Sequence, residues 1–300
     1  MNEKNVLKFE NVTKRYGGTT ALDSVSVDIY RGHVYALVGE NGAGKSTMLR
    51  IVCGLSEPTS GKIRLFGKTG ISANSERARL GYMPDESGSY FDLSAYDNLM
   101  VRSQEWGIDS GDINQLLISV GLDPENRRKV ATYSLGMKRR LDLATALLGD
   151  PELLILDEPL NGLDPRGVVE MRDLINQVAS GDDKALLISS HNLSELEKTA
   201  SDFIFLSRGK LVECCSRKEV EESDKGVYSI KTPEAAAVKR AINASFPQYT
   251  CRVDKTGSLA IHGTEIDGPR VLRVLVGMGF DIEEATYDHG SLESHYLAVI

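Results

Sequence analysis

The segment HVYALVGENGAGKST (33–47) decides the fold, because an apolar run leads directly into a glycine-rich turn. The run VYALV (34–38) is typical of a strand buried in a sheet. Three glycines, a lysine and two hydroxyl side chains within GENGAGKST (39–47) are poorly suited to a hydrophobic core. The same residues fit the pattern G-x-x-x-x-G-K-[ST], in which a glycine loop joins a strand to a helix and binds phosphate groups.

Each residue type in this loop has a physical task. Glycines let consecutive backbone N–H groups turn inward, and the helix that follows adds the positive end of its dipole. Lys45 can reach terminal phosphates, and the hydroxyl of Ser46 can bind Mg²⁺. We therefore expect nucleotide binding by Gly39, Asn41, Gly42, Ala43, Gly44, Lys45, Ser46 and Thr47.

A second group of polar residues follows two later apolar runs. LLILDEP places Asp157 and Glu158 at the carboxyl end of a buried strand, where ligands bind to open α/β sheets. Asp157 is predicted to bind Mg²⁺, and Glu158 is predicted to polarise a water molecule for attack on the γ-phosphate. His191 ends the neighbouring run ALLISS and is predicted to contact the same phosphate.

Strand and helix patterns alternate along the chain and predict an α/β fold with a parallel sheet. Shorter β-branched segments over 5–38 predict additional strands. The polar stretch 216–226 predicts a linker or a solvated helix. After it, the pattern restarts and predicts a small α+β lobe over 227–300, with a hairpin around 255–257 and a final helix that ends in SHYLAV (294–299).

The helix that begins at Ser134 has an apolar face, and its periodicity places Lys138, Arg139 and Arg140 around the other sides. Its N-terminus has two interpretations. Ser134 is a good N-cap, and an accessible helix N-terminus is also a good anion site. Since one nucleotide already has a phosphate loop, a second phosphate-binding helix makes sense if it serves a nucleotide on another subunit. The residues alone leave both interpretations open.

Over about 5–215, the chain resembles the ATP-binding subunit of an ABC transporter. The motifs occur in the family's order: an aromatic residue in KRYGG, the phosphate loop, YSLGMKRRL, LLILDEP, NGLDP and SSHNL. The resemblance implies a P-loop ATPase core with an antiparallel β subdomain and a helical subdomain at about 92–148. It also implies a domain of 1–215, followed by the linker 216–226 and an accessory lobe like those of exporter-type subunits.

The resemblance further implies a head-to-tail homodimer or heterodimer that encloses two ATP molecules, with Mg²⁺ as the cofactor. Each ATP would contact the phosphate loop of one subunit and Ser134 and Gly136 of the other. Tyr16 would stack on adenine, and Asp164 would lie at the dimer interface. A multi-span membrane permease would be the second partner, and the subunit would lie on the cytoplasmic face of the membrane.

Two departures from the family pattern are visible. The usual LSGGQ is YSLGM here, so that Leu135 and Met137 replace a glycine and a glutamine. In GYMPDES, Asp85 stands where the family normally has glutamine. It adds a negative charge at this position and is predicted to bind Mg²⁺ together with Ser46 and Asp157. Because similar variants occur in subunits that resemble exporters of drugs and peptides, the sequence favours export.

The groove beside the helical subdomain, near 85–91, is the expected place of the permease contact. The aromatic pair Tyr90 and Phe91 would belong either to that contact or to ordinary core packing. No chemistry is assigned to the lobe after residue 226.

Composition narrows the alternatives. The net charge of −8 and pI near 5.3 argue against a general nucleic-acid binder. The N-terminus has no apolar signal segment, and no apolar run reaches the ~20 residues of a membrane helix. A soluble ABC ATPase acting on ribosomes or nucleic acid is the main alternative. A phosphate-loop GTPase or kinase is another, although the guanine-reading N-K-x-D is absent.

Overall fold

The structure is a computed structural model that describes residues 5–109, 111–181, 183–223, 227–253, 258–263, 266–288, 292 and 295–296. Contacts divide the chain into two compact units, residues 1–215 and 216–300. Residues 254–257 of the predicted hairpin, and most of the predicted helix at 294–299, lie outside the described residues.

The first unit alternates strands and helices. Its strands are β1 (Asn5–Tyr16), β2 (Thr19–Tyr30), β3 (Val34–Val38), β4 (Ser60–Leu65), β5 (Lys68–Thr69), β6 (Leu80–Met83), β7 (Leu153–Asp157), β8 (Ala185–Ser189), β9 (Asp202–Ser207) and β10 (Lys210–Ser216). Its helices are α1 (Lys45–Val52), α2 (Ile71–Glu76), α3 (Ala95–Trp106), α4 (Ile113–Ser119), α5 (Leu135–Leu147), α6 (Pro165–Ala179) and α7 (Leu193–Thr199).

The larger sheet of this unit has the spatial order β10-β9-β3-β8-β7-β6. Strands β9, β3, β8, β7 and β6 pair in parallel. Every residue of β3, β7 and β8 is buried, as expected for apolar runs covered on both faces of a parallel sheet. The carboxyl ends of these three strands therefore meet at one edge of the sheet, and the predicted α/β class with a parallel sheet is confirmed.

A smaller sheet has the order β2-β1-β4-β5 and is antiparallel. Buried residues recur along β1 and β2 between more exposed ones, so that one face contributes to the core while the other meets solvent. Helix α1 contributes Met48, Leu49, Ile51 and Val52 to the same core cluster. That packing fixes the helix that follows the glycine loop.

Helices α3, α4 and α5 occupy the stretch between β6 and β7, where the sequence predicts a helical subdomain. Ser94 caps α3, Asp112 caps α4 and Ser134 caps α5, each with a side-chain oxygen that accepts a backbone N–H of the first turn. Such caps stabilise a helix by ~1 kcal/mol each and define where it begins. None of the helices in the described part of the chain has the length and apolar character to span a bilayer.

The second unit contains α8 (Arg217–Ser223), β11 (Val227–Lys231), α9 (Ala235–Ser245), β12 (Thr250–Val253), β13 (Leu259–His262), α10 (Gly268–Gly277) and β14 (Glu284–Asp288). The stretch 217–223 is thus helical and takes the second of the two forms predicted for the linker region. The antiparallel sheet has the order β12-β13-β11-β14. A β-α-β-β-α-β chain with this order is a ferredoxin-like arrangement, which agrees with the predicted α+β lobe.

The core of the second unit forms where α9 and α10 cover one face of its sheet. Tyr228 and Ile230 of β11 belong to one buried cluster with Ile242 of α9 and Leu275 of α10. Side chains at alternate strand positions point to the other face, which carries polar residues such as the exposed Thr286.

Candidate nucleotide-binding site

The loop between β3 and α1 forms a concavity at the carboxyl edge of the parallel sheet. Gly42 has φ 83° and Gly44 has φ 109°, which are left-handed conformations that favour glycine. A Cβ atom on Gly44 would lie 2.5 Å from the carbonyl oxygen of Ala21, so a larger residue would displace the backbone of β2. Gly44 therefore lets the loop pass close to β2 before α1 begins.

Lys45, the first residue of α1, is 8% exposed and lies within the loop. Its Nζ donates to the carbonyl oxygens of Gly39 at 2.5 Å and Glu40 at 3.2 Å. Burial lowers the pKa of the ammonium, while the negative charges of Glu158 and Asp157 act in the opposite direction. A cation bonded mainly to neutral carbonyls can transfer those bonds to the oxygens of an entering phosphate.

The loop lines a cavity of about 420 Å³. Its lining residues are Thr19, Thr20, Ala21, Glu40, Asn41, Gly42, Gly44, Lys45, Ser46, Thr47, Asp85, Asp157 and Glu158. The cavity therefore brings six of the predicted phosphate-loop residues together with Asp85, Asp157 and Glu158, three of the four predicted carboxylates.

Asp157 is the last residue of β7 and is 8% exposed. Its Oδ1 accepts a hydrogen bond of 2.6 Å from the Ser189 hydroxyl at the end of β8. Burial raises the pKa of Asp157 above the usual carboxyl range, the hydrogen bond from Ser189 opposes that rise, and the charges of Asp85 and Glu158 add to it. A bound cation would favour the ionised form of such a carboxylate.

Glu158 adopts a left-handed backbone with φ 50° directly after β7. Its N–H lies 3.1 Å from the backbone oxygen of Ser189 and 3.2 Å from the Ser189 hydroxyl. The Glu158 carboxylate lies 2.9 Å from Nδ1 of His191, which follows β8. The two residues predicted to act in catalysis are thus in direct contact.

Asp85 approaches the cavity from the segment that follows β6. Its Oδ1 accepts hydrogen bonds from Nη2 of Arg139 at 3.2 Å and from Nδ2 of Asn161 at 3.3 Å. The Asp85 side chain remains 47% exposed. An acid at this position therefore has a cationic partner.

The predicted metal ligands fit a small divalent cation by their chemistry. Asp85 and Asp157 offer carboxylate oxygens and Ser46 offers a hydroxyl, and all three line the same cavity. Mg²⁺ prefers such oxygen ligands together with water and substrate phosphates. The role of these three residues in metal binding remains a prediction.

Other predicted residues lie outside the lining of this cavity. The carbonyl oxygen of Gly39 accepts a hydrogen bond from Lys45, and Ala43, within the loop, is buried. Tyr16, at the end of β1, is 47% exposed and its hydroxyl lies 3.3 Å from that of Ser56. Hydrogen bonds with Ser56 and then with Thr47 of α1 lower the pKa of the Tyr16 hydroxyl.

A separate cavity of about 650 Å³ contains the remaining predicted residues. Ser134 caps α5 by accepting the N–H of Met137 at 3.3 Å, and Asp164 caps α6 by accepting the N–H of Gly167 at 2.8 Å. The cavity is lined by Gly121, Leu122, Asp123, Asn126, Ser134, Leu135, Gly136, Met137, Arg140, Gly162, Leu163, Asp164, Arg166, Gly167 and Glu170. It shares no lining residue with the phosphate-loop cavity.

Several residues with a part in this geometry are absent from the sequence prediction. Thr19 and Thr20 line the phosphate-loop cavity, and Ser189 contacts both Asp157 and Glu158. The position of Ser189, directly ahead of the SH pair at 190–191, is a signal that could have identified it. Arg139 was expected on a polar side of its helix, and this was wrong, since it is 6% exposed.

The aromatic pair near the helical subdomain is solvent-accessible. Tyr90 is 36% exposed and Phe91 is 47% exposed, so neither belongs to the buried core. The guanidinium of Arg102 lies 4.5 Å from the ring centre of Tyr90 and 5.9 Å from that of Trp106. Beside them is a groove of about 180 Å³ with Asp142 in its lining.

Comparison with known proteins bears on the same elements. The family model described as "ABC transporter" matches residues 22–161, which contain the phosphate loop and β7. A bacitracin transport ATP-binding protein from Bacillus licheniformis is 33% identical over 297 residues, which are 98% of this chain and 97% of the relative. A lantibiotic transport ATP-binding protein from Streptococcus pyogenes is 43% identical over 207 residues, 69% of this chain and 89% of the relative.

A solved structure shows a similar fold. The structure of cbiO1 from Clostridium perfringens, described as part of an ABC transporter complex, matches with a TM-score of 0.66 and 25% identity. The match covers 81% of this chain and 96% of that chain. The similarity to the bacitracin relative extends over nearly the whole chain and therefore includes the second unit.

Proposed function

The chain belongs to the family of ABC transporter ATP-binding subunits, an ATPase family, and from this premise we propose that it powers the export of a drug or peptide through a separate membrane permease. The observation that most strongly supports ATP hydrolysis as the source of power is the phosphate-loop cavity, where Lys45, Asp157 and Glu158 meet. The bacitracin and lantibiotic relatives are named for transport, and their names suggest the class of cargo.

In the proposed mechanism, the loop N–H groups and Lys45 bind the β- and γ-phosphates of ATP. Glu158 accepts a proton from the attacking water, which lies in line with the γ-phosphate. His191, bonded to Glu158, orients that carboxylate and contacts the γ-phosphate. Ser46, Asp157 and Asp85 would bind Mg²⁺, which would neutralise developing charge on the phosphate oxygens.

The two cavities suggest how a dimer would work. Ser134, Gly136 and Asp164 lie at a cavity separate from the phosphate loop, so they are poorly placed to serve the nucleotide of their own chain. We propose a head-to-tail dimer, with a second copy or a related subunit, in which each signature helix contacts the ATP of the other. ATP binding would then close the dimer and hydrolysis would open it.

The permease would bind at the groove beside the helical subdomain and place the subunit on the cytoplasmic face of the membrane. The exposed Tyr90, Phe91 and Trp106 support this choice, because aromatic residues are enriched at the centres of protein interfaces. The acidic net charge of −8 supports a protein partner over nucleic acid. The relatives described above, which are named for transport, give no support to action on ribosomes.

One experiment tests the coupled activity. The tagged chain is purified in mild detergent from cells that express it naturally, and both co-purification of a multi-span membrane protein and phosphate release from ATP are measured. We expect a stable complex whose ATPase activity is lost in Lys45→Ala. Phosphate release with no associated membrane protein, and instead a stable association with ribosomes, would overturn the transport role while leaving the ATPase role intact.

A further inference from the structure

Arg139 has an unusual position for an arginine on an amphipathic helix. It lies in the second turn of α5 and is 6% exposed. Nη1 donates to the carbonyl oxygen of Pro84 at 3.3 Å, and Nη2 donates to Asp85 at 3.2 Å. Within the described residues, its Nε has no hydrogen-bond partner. A buried guanidinium with one unused donor is costly, which points to a second position in which that donor is used.

Asp142 lies one turn further along α5 and is 4% exposed. Its Oδ1 accepts hydrogen bonds from the hydroxyls of Ser87 at 2.6 Å and Ser89 at 3.2 Å. Its Oδ2 has no partner among the described residues. Burial raises the pKa of Asp142, and the charge of Arg139 partly offsets that rise, so the two side chains interact electrostatically without a hydrogen bond.

These contacts place Arg139 between two carboxylates with different surroundings. Asp85 lines the phosphate-loop cavity, whereas Asp142 lines the groove beside Tyr90 and Trp106. Residues 84–89 connect the two places and are bonded to α5 at both ends, through Arg139 and through Asp142. A movement of the Arg139 side chain toward Asp142 would pair both unpartnered atoms and release Asp85.

We propose that Arg139 is a positioning residue with two alternative partners. It binds Asp85 when the cavity lacks a cation, and it moves to Asp142 when Asp85 contacts the Mg²⁺ that binds with ATP. This inference rests on the proposed nucleotide site. It explains how an acid functions where the family has glutamine, because the competing guanidinium neutralises the acid until the cation arrives. It also means that binding of Mg²⁺ in the phosphate-loop cavity would change the partner of Asp142 in the groove beside Tyr90 and Trp106.

The test measures binding of a fluorescent mant-ATP analogue to the purified full chain while Mg²⁺ is titrated. In Arg139→Gln, Asp85 has lost its competitor, so the Mg²⁺ concentration at half-saturation should fall by about threefold to tenfold, a change within the range of coupling between residues in contact. In Asp142→Asn, Arg139 has lost its alternative partner and stays on Asp85, so the same concentration should rise. These opposite signs are not expected if the residues only stabilise the fold.

Three further variants complete the design. In Asp85→Asn, adding Arg139→Gln should have no further effect. Arg139→Lys, which keeps the charge, should stay near wild type and provides a folded variant if Arg139→Gln is unstable. Arg172→Gln breaks an arginine pair with Glu195 outside both cavities and serves as the matched control.

The outcomes separate the two proposals. Failure of mant-ATP to bind the wild-type chain would overturn the proposed function and this inference together. Normal binding, with the same Mg²⁺ dependence in wild type, Arg139→Gln and Asp142→Asn, would overturn only the positioning role of Arg139.

Discussion

Two histidine–carboxylate pairs lie at opposite ends of the strands of the same parallel sheet. The amino ends of the strands form its amino edge, and their carboxyl ends form its carboxyl edge. At the amino edge, Nδ1 of His33 lies 2.7 Å from the Asp202 carboxylate, and at the carboxyl edge Nδ1 of His191 lies 2.9 Å from that of Glu158. The two acids have almost equal exposure, at 16% and 17% of their side-chain surface. By the distance within the pair and the burial of the acid, the two pairs are almost the same.

Their surroundings differ. Glu158 lines a cavity with Lys45 and Asp157 and lies near the N-terminus of α1, whereas Asp202 also accepts a 2.7 Å hydrogen bond from its neighbour Ser201 and lines neither cavity described above. The two pairs therefore differ in their access to a ligand cavity, since only the carboxyl-edge pair has an acid that lines the phosphate-loop cavity. The amino-edge pair therefore serves as an internal control for the carboxyl-edge pair.

The largest effect is expected for Glu158→Gln. The variant keeps the shape of the side chain but cannot accept the proton of the attacking water, so kcat should fall by about 10²–10⁴-fold. ATP binding should persist, and the variant should accumulate as a nucleotide-bound dimer. Phosphate-release kinetics and size-exclusion chromatography with ATP measure the two outcomes.

Asp202→Asn is the control for that substitution. It removes the same charge from the matching pair at the other edge, and turnover should remain close to that of the wild type. Equal losses in the two variants would show that the edge of the sheet does not distinguish the pairs.

The next largest effect is expected for Ser134, which is proposed to contact the nucleotide of a facing subunit. Ser134→Ala should lower kcat by about 10²-fold if its hydroxyl contacts the phosphate of a facing subunit, since transition-state donors contribute at least this much. Asp112→Ala removes a comparable cap, that of α4, at a cost of ~1 kcal/mol in stability. Steady-state ATPase assays should show the loss only for Ser134→Ala; equal activities would favour a capping role alone.

Mixed dimers sharpen this test. When Ser134→Ala and Glu158→Gln chains are combined, a head-to-tail homodimer would contain one site with both defects and one site with neither. We expect phosphate release above the sum of the two separate variants. A sum with no excess would be evidence against a site shared between two copies of this chain.

A smaller effect is expected for His191→Ala. The substitution leaves Glu158, the proposed general base, in place but removes the contact proposed to orient it, so turnover should fall by about tenfold, less than after loss of the base itself. His33→Ala at the amino edge should leave ATPase activity close to the wild-type value. A pair of pH–rate profiles would check this, and identical profiles and rates in the two variants would contradict a role for His191.

The smallest effect is expected for Asp142→Asn, which tests what burial alone does to an acid that lies away from the phosphate-loop cavity. Asp142 is a buried acid outside the phosphate-loop cavity, and burial raises its pKa. Since the folded state binds this proton more tightly than the unfolded chain, the contribution of Asp142 to stability is highest below the ordinary carboxyl pKa and is lost as pH rises through the raised value. Asp142→Asn should flatten this decline by roughly 1 kcal/mol, an ordinary magnitude for one substitution.

Urea denaturation of Asp142→Asn and wild type at mildly acidic and neutral pH measures that change. We expect the two curves to converge at acidic pH. A constant difference at every pH would instead assign the effect to packing.

The family and the α/β fold could be predicted from the sequence because their signals are local. A glycine loop between an apolar run and a helix is a contiguous pattern, and the buried β3, β7 and β8 have continuous apolar sequences. Both predictions are confirmed. The roles assigned to individual site residues remain predictions, although the structure brings most of them to two cavities.

The environment of Arg139 could not be predicted in the same way. Helical periodicity assigned it to a polar face, and only the tertiary contact with Pro84 and Asp85 shows why it is buried. Likewise, Ser189 precedes Ser190 and His191 in the sequence, but its contact with Asp157 depends on the parallel register of β7 and β8. Long-range pairing of this kind is absent from local patterns.

The left-handed backbone of Glu158 implies a conflict in what evolution can optimise at this position. At φ 50°, glycine is unstrained and asparagine is tolerated, while glutamate is disfavoured. A library randomised at position 158 and sorted only for folded protein should become enriched in glycine and asparagine, whereas one sorted for ATP turnover should retain glutamate. The position would then record selection for chemistry maintained against selection for stability.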